Sequence, residues 1–397
     1  MKKRFGLSRN IYVAGIVSLL MDISSEMIYP LMPLFLANVL GASKELIGLI
    51  EGVAESTASI VKIFSGWLSD RLGKRKGLMA GGYGLSTLSR PIIALATGWH
   101  VVLLGRFLDR VGKGVRTAPR DAIIAESTEA SRYGMAFGFH RAMDTFGAVI
   151  GPAAAFFLLA AFSGDFRKVF WISMIPAVIA VVVIILFIKE RKQRRPEHAQ
   201  PPKFSWSVLS GRFRFYVIIV TIFSIGNSSD AFLILRAQGV GIRAAMIPIV
   251  YMVYNAIYSL TSMPAGLAAD KFGRKRIILI AFFMFAAIYY GFARFADIRS
   301  VWLLFGAYGL FMGMTDGIQK AYLAEVLPKE FKATAFGIYN MAVGLALLPA
   351  SLIGGWLWDH VSPAATFYYG AIMALVSAEL FIIYIAVYGK GNRKAAT

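Results

Sequence analysis

The sequence predicts an all-α membrane protein, with twelve transmembrane helices in two pseudo-symmetric six-helix bundles, on three observations. Of the 397 residues, 57% are hydrophobic and 16% charged, whereas soluble domains run at about 45–50% apolar and about 25% charged. Runs of about 20 mainly apolar residues recur along the chain, each long enough to cross a hydrocarbon core as a helix, which satisfies its own backbone there. The chain also repeats itself: Gly66-Trp-Leu-Ser-Asp70-Arg71-Leu-Gly73-Lys74-Arg75 returns 200 positions later as Gly266-Leu-Ala-Ala-Asp270-Lys271-Phe-Gly273-Arg274-Lys275. Ala125-Glu126 with Ala324-Glu325, Ala136-Phe137-Gly138 with Ala335-Phe336-Gly337, and Ser24-Ser25-Glu26 with Ser228-Ser229-Asp230 extend the duplication over the chain.

The expected helices are 10–38, 45–70, 76–97, 99–126, 132–162, 168–189, 213–237, 244–270, 275–296, 299–326, 332–358 and 362–389. The basic start Met1-Lys2-Lys3-Arg4 is like that of a signal peptide. The apolar run behind it contains Asp22 and Glu26 and no clear small-residue cleavage site, so it is read as a retained span. Those carboxylates are four residues apart and share a helix face near the middle of the run. Two close carboxylates in a low dielectric cannot both ionise cheaply, which is the design of a proton carrier; permanent pairing with arginines of a neighbouring span is the alternative. In the second span Glu51, Glu55 and Lys62 share a face, which a solvated vestibule wall explains.

The fourth span, Gly105-Arg106-Phe-Leu-Asp109-Arg110-Val-Gly112-Lys113-Gly114-Val-Arg116-Thr-Ala-Pro119-Arg120-Asp121, carries a positive stripe through Lys113, Arg116 and Arg120. The fifth adds His140, Arg141 and Asp144. Ionisable side chains inside a bilayer usually face a cavity or a partner. Two uses stay open: arginine forks that hold an anionic solute, or charges that compensate Asp22, Glu26, Asp121 and Asp144. The only long connection, 190–212, is rich in Lys, Arg, Gln and Pro and reads as a linker. It separates a bundle at 1–189 from a second at 213–397. The second half is sparser in charge, with Asn227, Ser228, Ser229 and Asp230 in the seventh span, Asp316, Gln319 and Lys320 in the tenth and Asn340 in the eleventh. Coupling chemistry is therefore expected in the first half. Tyr251, Tyr254, Tyr258, Phe336 and Tyr339 either line a cavity for an amphipathic ligand or pack against neighbours.

The two loop copies resemble the Gly-x-x-x-Asp-Arg/Lys-x-Gly-Arg/Lys-Arg/Lys motif between the second and third spans of each half in the major facilitator superfamily. That resemblance implies a cytoplasmic gate latch at Gly66, Asp70, Arg71, Gly73, Lys74 and Arg75, and at Gly266, Asp270, Lys271, Gly273, Arg274 and Lys275. Gly73 and Gly273 permit the tight turn, and the basic run holds the loop at the anionic face. Gly138, Gly147, Gly151 and Pro152 resemble most of the Gly-rich fifth-helix signature of the family's antiporters, with Ala155 and Phe156 where two glycines usually stand. The fourth span is similar to the family's fourth-helix motif, with Lys113 in place of the usual Gln; Arg110 matches its coupling arginine by the spacing to Gly114.

The net charge of +20 follows from Lys and Arg gathered in cytoplasmic loops, so no nucleic-acid partner is expected. The basic clusters fall on one side of this arrangement and put both termini in the cytoplasm of a multi-pass inner-membrane protein. There is no cysteine, which excludes disulfides, thiolate metal sites and a Cys nucleophile. No Walker loop, metal-ligand spacing or nucleophile emerges, so neither an enzyme nor a cofactor is expected. The expected partners are a small-molecule solute, protons and the bilayer, and the expected state is a monomer.

The leading expectation is proton-coupled export of a small organic or amphipathic solute by alternating access. Asp22, Glu26 and Arg110 would serve coupling. Arg116, Arg120, His140, Arg141, Asp144, Asn227, Asp230, Asp316, Lys320, Tyr339 and Asn340 would line the cavity. The rivals are an uptake or exchange carrier for an anionic solute, a divalent-cation carrier using Asp22, Glu26, His140, Asn227 and Asp230, and a non-transporting membrane sensor.

Overall fold

A computed structural model describes residues 8–72, 75–128, 133–189, 210–326 and 332–388, nearly all of them helical. Twelve spans are counted. The first is α1 (Arg9–Ile28), which runs on through a 3₁₀ turn at Tyr29–Leu31 and a π-helical stretch at Phe35–Val39. Pro30 and Pro33 lie in this tail, and the backbone donor that each lacks accounts for the irregular winding. The first half continues with α2 (Lys44–Leu72), α3 (Arg75–Ala94), α4 (Trp99–Glu126), α5 (Tyr133–Ala161) and α6 (Phe166–Phe187). The seventh span is broken into α7a (Gly211–Gly226) and α7b (Ala231–Gly239). The rest are α8 (Ile247–Phe272), α9 (Arg274–Arg294), α10 (Ile298–Val326), α11 (Lys332–His360) and α12 (Pro363–Tyr388).

The duplication read from the sequence governs the element boundaries. Arg75 to Arg274, Trp99 to Ile298 and Tyr133 to Lys332 are helix starts that each lie 199 positions apart. Gly41 and Gly241, in the loops after the first and seventh spans, both take positive φ, at 64° and 100°. A Cβ disfavours that backbone, so glycine recurs there. Packing repeats as well. In the first half α1 packs on α5 and α6, and α3 packs on α4 and α6. In the second, α7a packs on α11 and α12, and α9 packs on α10 and α12.

The chain forms two compact units: Met1–Ala42 with Val53–Pro202 and Arg243–Met252, and Ser43–Gly52 with Lys203–Ile242 and Val253–Thr397. Among the described residues, nine helices are apolar and long enough to cross a membrane on composition alone. The three others, α2, α3 and α4, carry the charges considered below.

In each unit an arginine satisfies the carbonyls that a helix end leaves bare. Arg167 donates to the carbonyls of Ala94 and Ala96 at 2.7 and 2.6 Å, past the end of α3. Arg236 does the same for Phe292 and Phe295 at 2.9 and 3.2 Å, at the end of α9. Replacing Arg167 with Ala strands two carbonyls; a loss of about 1–3 kcal/mol is expected in denaturant unfolding of the purified protein.

Candidate functional site

The site lies in the first unit and is built by α1, α3 and α4. A cavity of about 50 Å³ is lined by Asp22, Ser25, Glu26 and Tyr29 of the first span, Arg90 of α3, and Arg106, Asp109, Arg110, Lys113 and Arg116 of α4. One water needs about 10–15 Å³, so the space suits a few waters and is too small for an organic solute.

Its architecture begins with glycine. A Cβ on Gly112 would sit 2.5 Å from the Gly82 carbonyl oxygen. One on Gly82 would sit 2.7 Å from the Gly112 carbonyl oxygen. Backbones of α3 and α4 therefore meet face to face, and the long side chains next to that crossing turn into the cavity. The same device joins α1 to α5. A Cβ on Gly147 would lie 2.6 Å from Asp22 Cβ, and one on Gly151 would lie 2.7 Å from Glu26 Cβ. Two glycines of the fifth-helix signature thus abut the two carboxylates of the first span. Gly138 has no such neighbour within 4 Å.

Arg90 is the hub. Only 2% exposed, it donates to Ser24 Oγ at 3.1 Å, Ser25 Oγ at 2.9 Å and Asp109 Oδ1 at 3.3 Å. Arg110 pairs with Glu55 of α2 at 2.7 Å. Arg116 donates to Ser86 Oγ and stands over the Tyr83 ring at 4.5 Å, while Arg106 stands over Tyr29 at 5.6 Å. Such pairing and ring contact offset the cost of buried charge.

The expected site residues divide into groups. Asp22, Glu26, Arg110 and Arg116 come together in the cavity. Arg120 bonds its neighbour Asp121 at 2.9 Å. Asp144 accepts from Ser18 of α1 and lies 3.8 Å from His140 Nδ1, while Arg141 is exposed. In the second unit Tyr308 donates to Asp230 at 2.8 Å and Tyr289 to Asn227 at 3.4 Å. Tyr339 donates to Gln319 at 2.9 Å. Lys320 is exposed and Asn340 half-buried; the side chain of Asp316 lies outside the described residues.

In the gate loops, Arg75 pairs with Glu126 at the end of α4 and Arg274 with Asp270 at 2.8 Å. Gly273 takes φ 95°, as its turn requires. Arg71, Gly266 and Lys271 are exposed, half-buried and exposed respectively, while Gly66 and Lys275 are half-buried. Gly73, Lys74 and the side chain of Asp70 lie outside the described residues. Pro152 is inside α5.

Sequence reasoning overlooked Arg90, and it read Arg106 and Asp109 only as part of the fourth-span motif, with no site role. The signal was available, since Arg90 is an ionisable residue within an expected span, but it has no charged companion one turn away. Glu51 departs from the vestibule-wall expectation, whereas the Glu55 side chain stays 35% exposed. Glu51 is 2% exposed and Glu55 is committed to Arg110.

The family profile described as Major Facilitator Superfamily matches residues 14–235 and 231–396. The chain belongs to the major facilitator superfamily. An uncharacterized MFS-type transporter of Methanocaldococcus jannaschii is 36% identical over 383 residues, 95% of each chain. The multi-drug resistance efflux pump PmrA of Streptococcus pneumoniae is 23% identical, with 90% of this chain and 92% of the pump covered. Among solved structures, a D-xylose–proton symporter shares the fold at a TM-score of 0.74 and 17% identity, covering 94% of this chain and 96% of its own. A multi-pass membrane transporter of the superfamily is thereby established, and it is as a superfamily member that the polar cavity acquires meaning.

Proposed function

We propose that this superfamily member is a proton-coupled exporter of a small organic or amphipathic solute, working by alternating access in the cell membrane. Asp22 and Glu26 carry the proton. Arg110, Arg116 and the newly recognised Arg90 set their electrostatic surroundings. One observation carries this reading: two carboxylates on successive turns of α1 face a water-sized cavity shared with five cationic side chains and Asp109. A cavity of that size holds a few waters, which suits a proton site. The efflux activity in the name of PmrA favours export. The basic loop sequences favour cytoplasmic termini, and the repeat favours two six-helix halves joined by the 190–212 linker, acting as a monomer.

In proteoliposomes with an imposed pH gradient, a fluorescent amphiphile should move against its own gradient. Asp22→Asn combined with Glu26→Gln should remove the dependence on the pH gradient while equilibrative exchange persists. Proton coupling intact in the double variant would overturn the assignment. The excess of cations at the cavity keeps one rival alive, an anion carrier using the same arginines; lost anion affinity in Arg116→Ala, with proton coupling unchanged, would favour it.

A further inference from the structure

Two titratable side chains of α5, His140 and Asp144, have no part in the mechanism above. Both are expected from sequence on the wall of a solute cavity, yet neither lines the cavity of Asp22 and Glu26. His140 is 5% exposed, and its Nε2 is buried with no hydrogen-bond partner among the described residues. Leaving a polar atom unsatisfied in a core costs about 1–3 kcal/mol, so one that persists calls for a use. Asp144, one turn along the helix, stands 3.8 Å from His140 Nδ1, within ion-pairing range and beyond that of a hydrogen bond.

The pair belongs to a polar column that climbs the seam between α1 and α5. These helices run parallel and in register. A Cβ on Gly15 would sit 2.6 Å from the Phe139 ring, Ser18 donates to Asp144, Gly147 abuts Asp22 and Gly151 abuts Glu26. Along α1, Ser18, Asp22 and Glu26 are four residues apart and share one face. His140, then Asp144 with Ser18, then Asp22, then Glu26 are therefore successive rungs, each about 6 Å beyond the last. Asp22 feels the charge of Asp144 more strongly than that of Glu26. The column ends at His140, because Ala14 and Ala136, one turn before Ser18 and His140, join Ile11 and Ile124 in a buried apolar cluster.

Arg120 and Asp121 of α4 act on the His140 ring, as do Asp144 and Arg141 of α5. Arg120 and Asp121 form their own pair, which leaves Asp144 as the carboxylate beside the ring. On α1, Asp22 is subject to Lys113 and Arg116 of α4, and Tyr12 packs edge-on against Phe139. The start of α6 and the turn Ala244–Met246 bring no further charge to the pair. That turn has no ionisable residue, and those of α6, Arg167 and Lys168, lie at the opposite end of α5.

We propose that Asp144 and His140 form a proton-accepting station for Asp22, on the side of the seam where α1 and α5 begin. This role rests on the reading that Asp22 carries a proton, and it supplies the group that receives it. Asp22 gives its proton to the Ser18 hydroxyl, which passes its own hydrogen to Asp144. Asp144 hands that proton to the unprotonated nitrogen of the His140 ring. Asp22 and Asp144 end as carboxylates, and the ring ends as an imidazolium that Asp144 balances. The apolar cluster beyond the station keeps the proton from water until the helices part.

The test is nitrogen NMR of the full purified chain, isotopically labelled at its four histidines, with His140 assigned by the signal lost in His140→Gln. Groups that share a proton titrate in steps that belong to the set and not to one member. The His140 ring should therefore charge in two steps, and Asp22→Asn should reduce them to one. In vesicles driven by a pH gradient, Asp144→Asn and His140→Gln should each slow ethidium efflux by about tenfold or more. An asparagine still accepts the Ser18 bond, so Asp144→Asn should keep the melting temperature of the parent, and Asp144→Glu should restore the flux.

A one-step titration of His140 in the parent, or a two-step titration that survives Asp22→Asn, would overturn the station. So would a fall in melting temperature that accompanies the lost flux of Asp144→Asn, since the residue would then be a fastener between α1 and α5. The parent titration decides even if a variant fails to fold. The proposed function fails separately. Parent flux indifferent to the pH gradient rejects proton coupling, whereas pH-driven flux that is lost in Asp22→Asn with Glu26→Gln and untouched by Asp144→Asn and His140→Gln rejects the station alone.

Discussion

Arg90→Leu should destabilise the protein by about 3–5 kcal/mol, the usual cost of breaking a buried ion pair by deleting one partner. The reason is what remains. Asp109 keeps a side chain only 6% exposed, and the Ser24 and Ser25 hydroxyls lose the donor that ties α1 to α3. An apolar isostere restores volume but no charge. Removing both partners is different, because two well-packed hydrophobic residues of similar size can replace a buried pair at little cost. Arg90→Leu with Asp109→Leu should therefore recover most of the loss. Chemical unfolding of the three variants in detergent measures this, and a single variant as stable as the parent would show that the pair does not hold the helices together.

Within the glycine signature of α5, Gly147→Val and Gly151→Val should each cost about 1–3 kcal/mol through overpacking and should also abolish pH-driven flux. Gly138→Ala should be neutral. The difference is steric. Even the first carbon of a side chain at Gly151 would come within 2.8 Å of the Ile23 carbonyl oxygen as well as meeting Glu26, and at Gly147 within 2.8 Å of the Leu19 carbonyl oxygen. Neither is the far end of a flexible side chain, so α1 itself must move and carry its carboxylates with it. Parallel measurement of melting temperature and proteoliposome flux separates the effects. Intact coupling in a folded Gly151→Val protein would show that the position of Glu26 along the seam is unimportant.

These glycines show how far a sequence can be read. The signature was recognisable in α5, and the carboxylates were recognisable in α1, because each lies within one helix at regular spacing. Their contact was not, since nothing along a chain states which helix faces which. Arg90 escaped for a related reason. Its partners Ser24, Ser25 and Asp109 sit on two other helices, and a rule that searches for companions one turn away passes over it. Glu55 was assigned to water, to which its side chain stays 35% exposed, but its counter-charge, Arg110, is two helices further on and no local spacing points to it.

The span pattern and the repeat were legible because hydropathy and self-similarity are properties of the chain itself, while residues 190–209 of the expected linker lie outside the described residues. The break at Asn227 was half legible. Asn, Ser and Asp compete with a helix for their own backbone, and four in succession, Asn227-Ser228-Ser229-Asp230, mark a place where a span of that length yields.

The pairing among α2, α3 and α4 also bears on how the protein is made. These are the three spans outside the nine that composition alone marks as apolar enough to cross a membrane, and a single unpaired Arg or Asp near the centre of a span adds about 2.5–3.5 kcal/mol to its insertion. Three ion pairs join α4 to an earlier helix: Glu55 to Arg110, Arg90 to Asp109 and Arg75 to Glu126. Synthesis delivers α2 and α3 before the helix that carries their counter-charges. Insertion of α2 and α3 should therefore be more complete in a chain truncated after α4 than in one truncated after α3, which glycosylation mapping of the truncated chains would measure.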